Sequence, residues 1–350
     1  MLKRVRIKNF RGFTDLTLDG LERVNLLAGA NGTGKTAILE ALFLHVGAHN
    51  PEIGLRINIF RGLTAFKADL DDLFAPLFHR YAFEPAVEIS SHDEQGTERS
   101  LTIRLTESSL APAGPSNGND RPDSLSTALS PREVYFEYED SQGKRAVANG
   151  WLTNEGLRVQ AGKPWGGQAI FLATRYHSPA EDAQRFSELA VQMRQQPLVE
   201  SLKLVEPRLS SLSVQAMGNM ALVYGDIGLG RLIPIDLMGQ GTSRLLSIML
   251  AIVSQQASMV LIDEIENGLH YSVMAQVWTA IAKAARAADV QVFATTHSWE
   301  CLRAAHEAFS QDEQYDFRLH RLERVDGAIR AVTLDQEALD TALKAGLEVR

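Results

Sequence analysis

Cysteine is almost missing from this chain: Cys301 stands alone among 350 residues. No disulfide can close within the chain and no cysteine-based zinc site can form, which fits a reducing, cytoplasmic compartment. Long apolar runs are missing as well. The longest, around residues 245–253, is broken by Ser247 and followed by Ser254-Gln255-Gln256. A bilayer needs about 20 apolar residues in a row, so no membrane span is expected. The opening Met1-Leu-Lys-Arg-Val-Arg6 holds no apolar signal core. Positive charge is not in excess either. The net charge is −8, so any contact with DNA or RNA would need a local patch rather than a global field. With 45% hydrophobic residues, the chain has ample material for one large core or two lobes.

Residues 2–8 alternate, with Leu2, Val5 and Ile7 apolar and Lys3, Arg4, Arg6 and Lys8 beside them. That pattern predicts a strand with one solvated face. Short strands are also expected at 16–18 and 24–28, and a buried helix over 36–46. Between residues 86–106 and 133–160, runs such as EVYFEYE and RAVANGWL alternate between polar turns and predict an antiparallel lobe. Residues 107–131 are rich in Ser, Pro, Gly and Asn and read as a long surface loop. Residues 179–212 read as helical, interrupted at Pro197 and Pro207. Thereafter helix and strand alternate: helix near 242–256, strand 259–263, helix near 270–287, strand 290–295, helix from about 298. This is βαβ order and predicts a parallel, buried sheet. Three regions follow: an N-terminal lobe over 1–178 with the antiparallel β subdomain, a helical arm or insertion over 179–235, and a C-terminal lobe over 236–350.

Gly29-Ala30-Asn31-Gly32-Thr33-Gly34-Lys35-Thr36 fits the spacing G-x-x-x-x-G-K-[ST], and it lies between an expected strand and an expected helix. Glycines let successive N–H groups turn toward phosphates, and the helix start adds partial positive charge. Lys35 then reaches the β- and γ-phosphates, and Thr36 ligates magnesium. Far downstream, the apolar run 259–262 ends in Asp263-Glu264. Asp263 is the expected magnesium partner, directly or through water, and Glu264 the group that orients or deprotonates an attacking water. Alternatively, two acids could simply open a helix. More than half the chain separates Lys35 from Asp263, too far for a compact GTPase or small kinase. Gly239-Gln240-Gly241-Thr242-Ser243 opens a helix and offers a second anion site, or else an ordinary helix cap. Thr295-Thr-His297-Ser298 follows a strand, which puts His297 at the ligand edge of a parallel sheet.

In their order, these motifs resemble the ABC-type ATPase head. Phe10-Arg11-Gly12-Phe13 is similar to the SMC and RecF branch. Met238-Gly-Gln-Gly-Thr-Ser-Arg-Leu-Leu-Ser-Ile248 and the segment 295–298 resemble the OLD (overcoming lysogenization defect) family, including stand-alone AAA ATPases of Septu-, Gabija- and retron-type antiphage systems. The resemblance implies an α/β head with a parallel or mixed central sheet, an antiparallel β lobe and a helical insertion, together one composite ATPase domain using ATP and Mg2+. It implies Walker A at 29–36, with Ala37 and Arg11 as further nucleotide contacts. Asp263 and Glu264 become Walker B with the catalytic base. Gly239, Gln240, Gly241, Thr242 and Ser243 become a signature acting in trans. Asn267, Gly268 and His270 become the D-loop, and His297 the switch histidine, so that Glu264, His297 and Lys35 carry catalysis. The signature lacks the initial Ser-Gly of transporter-like versions, so Thr242 or Ser243 is expected to supply its hydroxyl. No glutamine falls between residues 37 and 94, where the Q-loop glutamine is expected. The residues after His297 leave no room for a Toprim nuclease.

The leading expectation is a switch that pairs with a second copy, or a higher oligomer, around ATP and regulates a nuclease or toxin partner in bacterial defence. A RecF-like DNA-maintenance ATPase is the alternative. It draws on Lys3, Arg4, Arg6, Lys8 and Arg11, which would meet DNA or RNA phosphates unless they only solvate a strand. A nucleotide-binding scaffold with little turnover is a third reading, and Glu264 argues against it.

Overall fold

The structure, a computed structural model, describes residues 1–63, 69–107, 132–140, 142–153, 156–164, 167–218, 220–254 and 256–346. The loop expected over 107–131 lies, from residue 108 on, outside the described residues.

The N-terminal strands β1 (Leu2–Phe10) and β2 (Phe13–Asp19) form a hairpin that turns at Arg11 and Gly12. β1 then pairs on its other side with β4 (Val87–Asp93), followed by β5 (Glu98–Glu107), β6 (Arg132–Asp140), β7 (Arg145–Thr153) and β8 (Gly156–Gln160). All pairs in this seven-stranded sheet are antiparallel. Val5 and Ile7 are fully buried while Arg4 and Arg6 are exposed, as the alternation requires.

A second sheet of six strands holds β3 (Val24–Gly29), β9 (Ala169–Leu172), β13 (Met259–Ile262), β14 (Gln291–Thr295), β15 (Phe317–Val325) and β16 (Ala328–Leu334), in the order β16-β15-β3-β14-β13-β9. Only the β15–β16 pair is antiparallel. The inner strands β3, β13 and β14 are buried along their whole length and read as largely apolar runs, because both faces are covered. Alternate residues divide between two cores. Val24, Leu26, Val260, Ile262, Val292 and Ala294 enter one; Leu27, Leu261 and Phe293 enter the other.

The helix α1 (Lys35–Val46) lies in the second of these cores, between the two sheets. It is apolar almost all round, which suits a helix with no solvent face. α2 (Glu52–Phe60) and α3 (Leu70–Phe74) close that side. The other face of the central sheet carries α4 (Pro179–Val191), α5 (Gln196–Leu202), α6 (Gln240–Val253), α7 (Met274–Ala288) and α8 (Trp299–Ser310), with α9 (Gln336–Lys344) against α8.

Two expectations need correcting. Residues 179–235 are not a helical arm throughout. After α4 and α5 come β10 (Ser211–Met217), β11 (Met220–Asp226) and β12 (Ile233–Pro234), a three-stranded antiparallel sheet. Two alternating runs around Gly218-Asn219 carried that hairpin signal. Nor do α4 and α5 project, since Phe186, Leu189, Leu198 and Leu202 are buried in the core under the central sheet. The lobes expected at 1–178 and 236–350 share that one sheet, because β3 and β9 come from the first and four strands from the second. Among the described residues, no helix is long and apolar enough to cross a membrane.

Candidate nucleotide site

β3 delivers the chain to Gly29, and α1 starts at Lys35. Between them Ala30, Asn31 and Gly32 are exposed, while Thr33 is buried and its hydroxyl donates to the Ala30 carbonyl at 2.8 Å. The Phe13 ring sits directly under the loop's end. A Cβ on Gly34 would lie 2.6 Å from it, so this position admits only glycine. Lys35 is buried, and its Nζ donates to the carbonyls of Gly29 (2.7 Å) and Ala30 (3.1 Å). Burial lowers the lysine's affinity for its proton, and the charges of Asp263, Glu266 and Glu264 oppose that shift. Ala37 is buried in the first turn of α1.

β13 is entirely buried and ends at Ile262, which leaves Asp263 and Glu264 at the sheet's carboxyl edge. Thr36 and Asp263 meet there, the Thr36 hydroxyl donating to Oδ1 at 2.9 Å. Thr295, at the end of the neighbouring strand, donates to the same oxygen at 2.8 Å. Thr174, just past β9, donates to Oδ2 at 3.2 Å. Arg244 of α6 donates from Nη2 to the Asp263 carbonyl at 2.5 Å. Glu264 adopts a left-handed φ of 49°, strained for a residue with a Cβ, and its N–H is held by the Thr295 hydroxyl at 2.8 Å. His297 Nε2 lies 3.6 Å from Glu264 Oε1, and both side chains are partly exposed. The expected Lys35, Thr36, Asp263, Glu264 and His297 therefore gather at one edge of the central sheet.

Among the described residues no group of three or more His, Cys, Asp or Glu side chains could hold a metal alone. A hydroxyl and one carboxylate suit a small hard cation that keeps waters and takes further oxygens from phosphates, as Mg2+ does. The Thr36–Asp263 pair fits that ion.

Residues 239–243, expected as a signature, form a different surface. Gly239 and Gln240 are exposed at the start of α6, but Thr242 and Ser243 are buried. The Ser243 hydroxyl donates to Asp236 Oδ1 at 2.5 Å, and His177 Nε2 lies 3.1 Å from the same carboxylate. The Ser243 hydroxyl is thus already engaged by a carboxylate of its own chain. What the face presents is Gly239, Gln240 and the open N–H groups of the first helical turn. The segment expected as a D-loop packs against it: a Cβ on Gly241 would lie 2.4 Å from the Gly268 carbonyl oxygen. Asn267 donates its N–H to the Glu264 carbonyl at 3.0 Å, and His270 is exposed beside Tyr271. Among the described residues no hydrogen bond joins residues 239–243 to the cradle at 29–37.

Arg11, expected at the nucleotide, is engaged elsewhere. Its Nε pairs with Glu40 Oε2 of α1 at 2.5 Å, and Arg61 binds the same buried carboxylate through two bonds of 2.6 and 3.0 Å. Burial brings the Arg11 guanidinium down to about 10 despite Glu40. The basic strand is also neutralised, through Lys3–Glu22, Arg4–Asp19, Arg6–Asp15 and Lys8–Glu88. The sequence reading missed Thr174, Arg244 and Thr295 as partners of Asp263. Thr295 and Arg244 lay within motifs already noted, whereas Thr174 carried no signal.

A family model described as "AAA domain, putative AbiEii toxin, Type IV TA system" matches residues 24–302, well over half the chain. The chain belongs to this family. The AAA-domain match takes in both the cradle and the Asp263-Glu264 edge and ends just past His297. An "ATP/GTP phosphatase" of Helicobacter pylori is 22% identical over 90% of this chain and 94% of its own. A "DNA replication and repair protein RecF" of Lactococcus lactis is 43% identical, but over only 15% of this chain and 16% of its own. The crystal structure of an SMC head bound to the C-terminal winged-helix domain of ScpA superposes with a TM-score of 0.53 at 14% identity, covering 98% of this chain and 99% of that one. The fold of this AAA-domain protein is that of the SMC head.

Proposed function

We propose that this chain is a magnesium-dependent ATP hydrolase whose working site is completed by a second copy. The observation that carries the proposal is the convergence of Lys35, Thr36, Asp263, Glu264 and His297 at one sheet edge, from segments far apart in the chain. The loop N–H groups and Lys35 bind the phosphates. Thr36 and Asp263 would hold Mg2+, which supplies charge neutralisation at the phosphates. Glu264 takes a proton from the attacking water, and His297 steadies the carboxylate and the water from the far side. A second copy contributes the N–H groups and the Gln240 side chain of its α6 start, so hydrolysis lets the pair separate. The relative described as an ATP/GTP phosphatase supports nucleotide hydrolysis, with ATP or GTP as substrate.

The finer reading is a switch that holds a nuclease or toxin partner in check in bacterial antiphage defence, of the OLD-like kind. Support comes from the toxin-system description of the family. A RecF- or SMC-like role on DNA is the second reading, and the matched RecF segment favours it. Pairing of the basic strand with acids weighs against it, because no local cationic patch is left there for phosphates. A scaffold with little turnover is disfavoured by the strained, firmly held Glu264.

Phosphate release by the wild-type chain and Glu264→Gln, with particle mass measured with and without ATP, tests the proposal. Expected is loss of turnover with an ATP-dependent dimer in the variant. Unaltered turnover in the variant would sink the assignment of Glu264.

A further inference from the structure

Glu266 stands two residues beyond the proposed base and has no role so far. One of its carboxylate oxygens, Oε1, accepts the main-chain N–H of His297 at 2.7 Å. The segment presenting it is fixed on both sides: Ile265 donates to the Thr295 carbonyl and Asn267 to the Glu264 carbonyl, each at 3.0 Å. The other oxygen, Oε2, is buried and has no hydrogen-bond partner among the described residues. Burying an unsatisfied carboxylate oxygen is unfavourable, and an amide would make the same bond to His297 more cheaply. Retaining the charge therefore calls for a reason. Two cations, the buried Lys35 and the partly buried Arg244, supply one, since Glu266 is among the charges that oppose proton loss from both.

The location adds a second point. Gly268, two residues on, is the D-loop glycine whose carbonyl touches Gly241. Glu266 thus lies between the signature surface and the histidine. The bond at 2.7 Å therefore ties the segment that leads to Gly268 to the main chain of His297.

We propose that Glu266 is a positioning residue, which sets the main chain of His297 and so the imidazole's place beside Glu264. This rests on the hydrolytic reading given above. It acts through His297 and does not touch the nucleotide.

The test uses the full chain in five forms: wild type, Glu266→Ala, Glu266→Gln, His297→Ala and the Glu266→Ala/His297→Ala double variant. Amide hydrogen exchange over residues 296–298, without nucleotide, reads the bond itself. Single-turnover ATP hydrolysis and ATP binding read its consequence. Glu266→Ala should speed that exchange at least about tenfold and slow hydrolysis by about tenfold, with ATP affinity within a factor of about three. Glu266→Gln should restore slow exchange, because its amide oxygen accepts the same N–H. The double variant should be no slower than His297→Ala, since both changes act through one group. Unchanged exchange in Glu266→Ala, or losses that multiply in the double variant, would overturn the proposal. His297→Ala hydrolysing ATP at the wild-type rate would instead overturn the functional reading beneath it.

Discussion

The starts of α1 and α6 are alike in one respect and opposite in the rest. Each is preceded by a glycine, Gly34 or Gly239, with no side-chain cap, so each leaves N–H groups open. By contrast α4 and α8 are capped by Ser178 and Ser298. Around the first start the chain gathers a buried lysine, a hydroxyl and a braced carboxylate. Around the second, Ser243 is engaged by Asp236 and Thr242 is buried, so the exposed residues are Gly239 and Gln240 beside open N–H groups. The difference teaches that only the first surface combines open N–H groups with a cation and a braced carboxylate, the set that the proposed triphosphate would need. Under the same proposal, the second would add donors to an anion held by another copy.

The largest effect expected is at the first surface. Glu264→Gln should lower turnover by about a thousandfold while ATP still binds, measured by phosphate release and equilibrium binding. Next comes the second surface. Gln240→Glu places a negative charge at an exposed helix start, which suits the helix but repels phosphate. Its turnover should fall about a hundredfold, with ATP binding to the single chain unchanged. Mixed with Lys35→Ala, itself inactive, it should regain activity, because a mixed pair holds one intact site. A mixture as inactive as its parts would collapse the contrast between the two surfaces.

A smaller effect tests the brace behind the cradle. Arg11→Met should lower stability by about 1–3 kcal/mol in denaturant unfolding, since a charged bond to Glu40 is lost, yet leave ATP affinity unchanged. Weaker ATP binding without loss of stability would return Arg11 to the nucleotide.

The smallest effect belongs to the network under the signature. The hydrogen bond from Asp236 raises the His177 imidazole above its ordinary value, with burial lowering it and Asp182 and Asp236 adding favourable charge against Arg244. A raised folded value means the contribution is fully present below the ordinary 6.5 and lost as pH rises through the folded value. Relative to His177→Gln, the wild-type advantage in unfolding midpoint should shrink as pH rises above 6.5. A constant advantage across that range would remove the charge from this network.

Much of this was legible in the residues. The strand, glycine loop and helix at 24–46 stand where the motif required them, and so do the strands ending at Ile262 and Thr295. Apolar runs leading into recognisable motifs found these, because both faces of each strand are buried. They did not find β9, a short run with no motif after it, or β15 and β16, which lie beyond the last motif. The bond from Ser243 to Asp236 was hidden for another reason. Which side of a helix start meets solvent depends on Asp236 and His177, and on the sheet that places them. Single hydroxyls such as Thr174 carry no pattern at all. Arg11 misled because a cation next to a phosphate motif invites a phosphate, while its partner Glu40 sat unmarked in a buried helix.

The register of the central sheet has a consequence for how the protein is made. Gly29 is paired with Leu322, so the strand backing the cradle comes from the chain's last part. A nascent chain emerges N-terminus first, and its early phosphate loop must wait, unsupported, through most of translation. ATP capture should therefore begin late and abruptly. Ribosome-bound chains halted at residue 314, before β15, should not be retained on immobilised ATP, whereas complete chains should be. Retention of the halted chains would mean that the loop folds without its last strand.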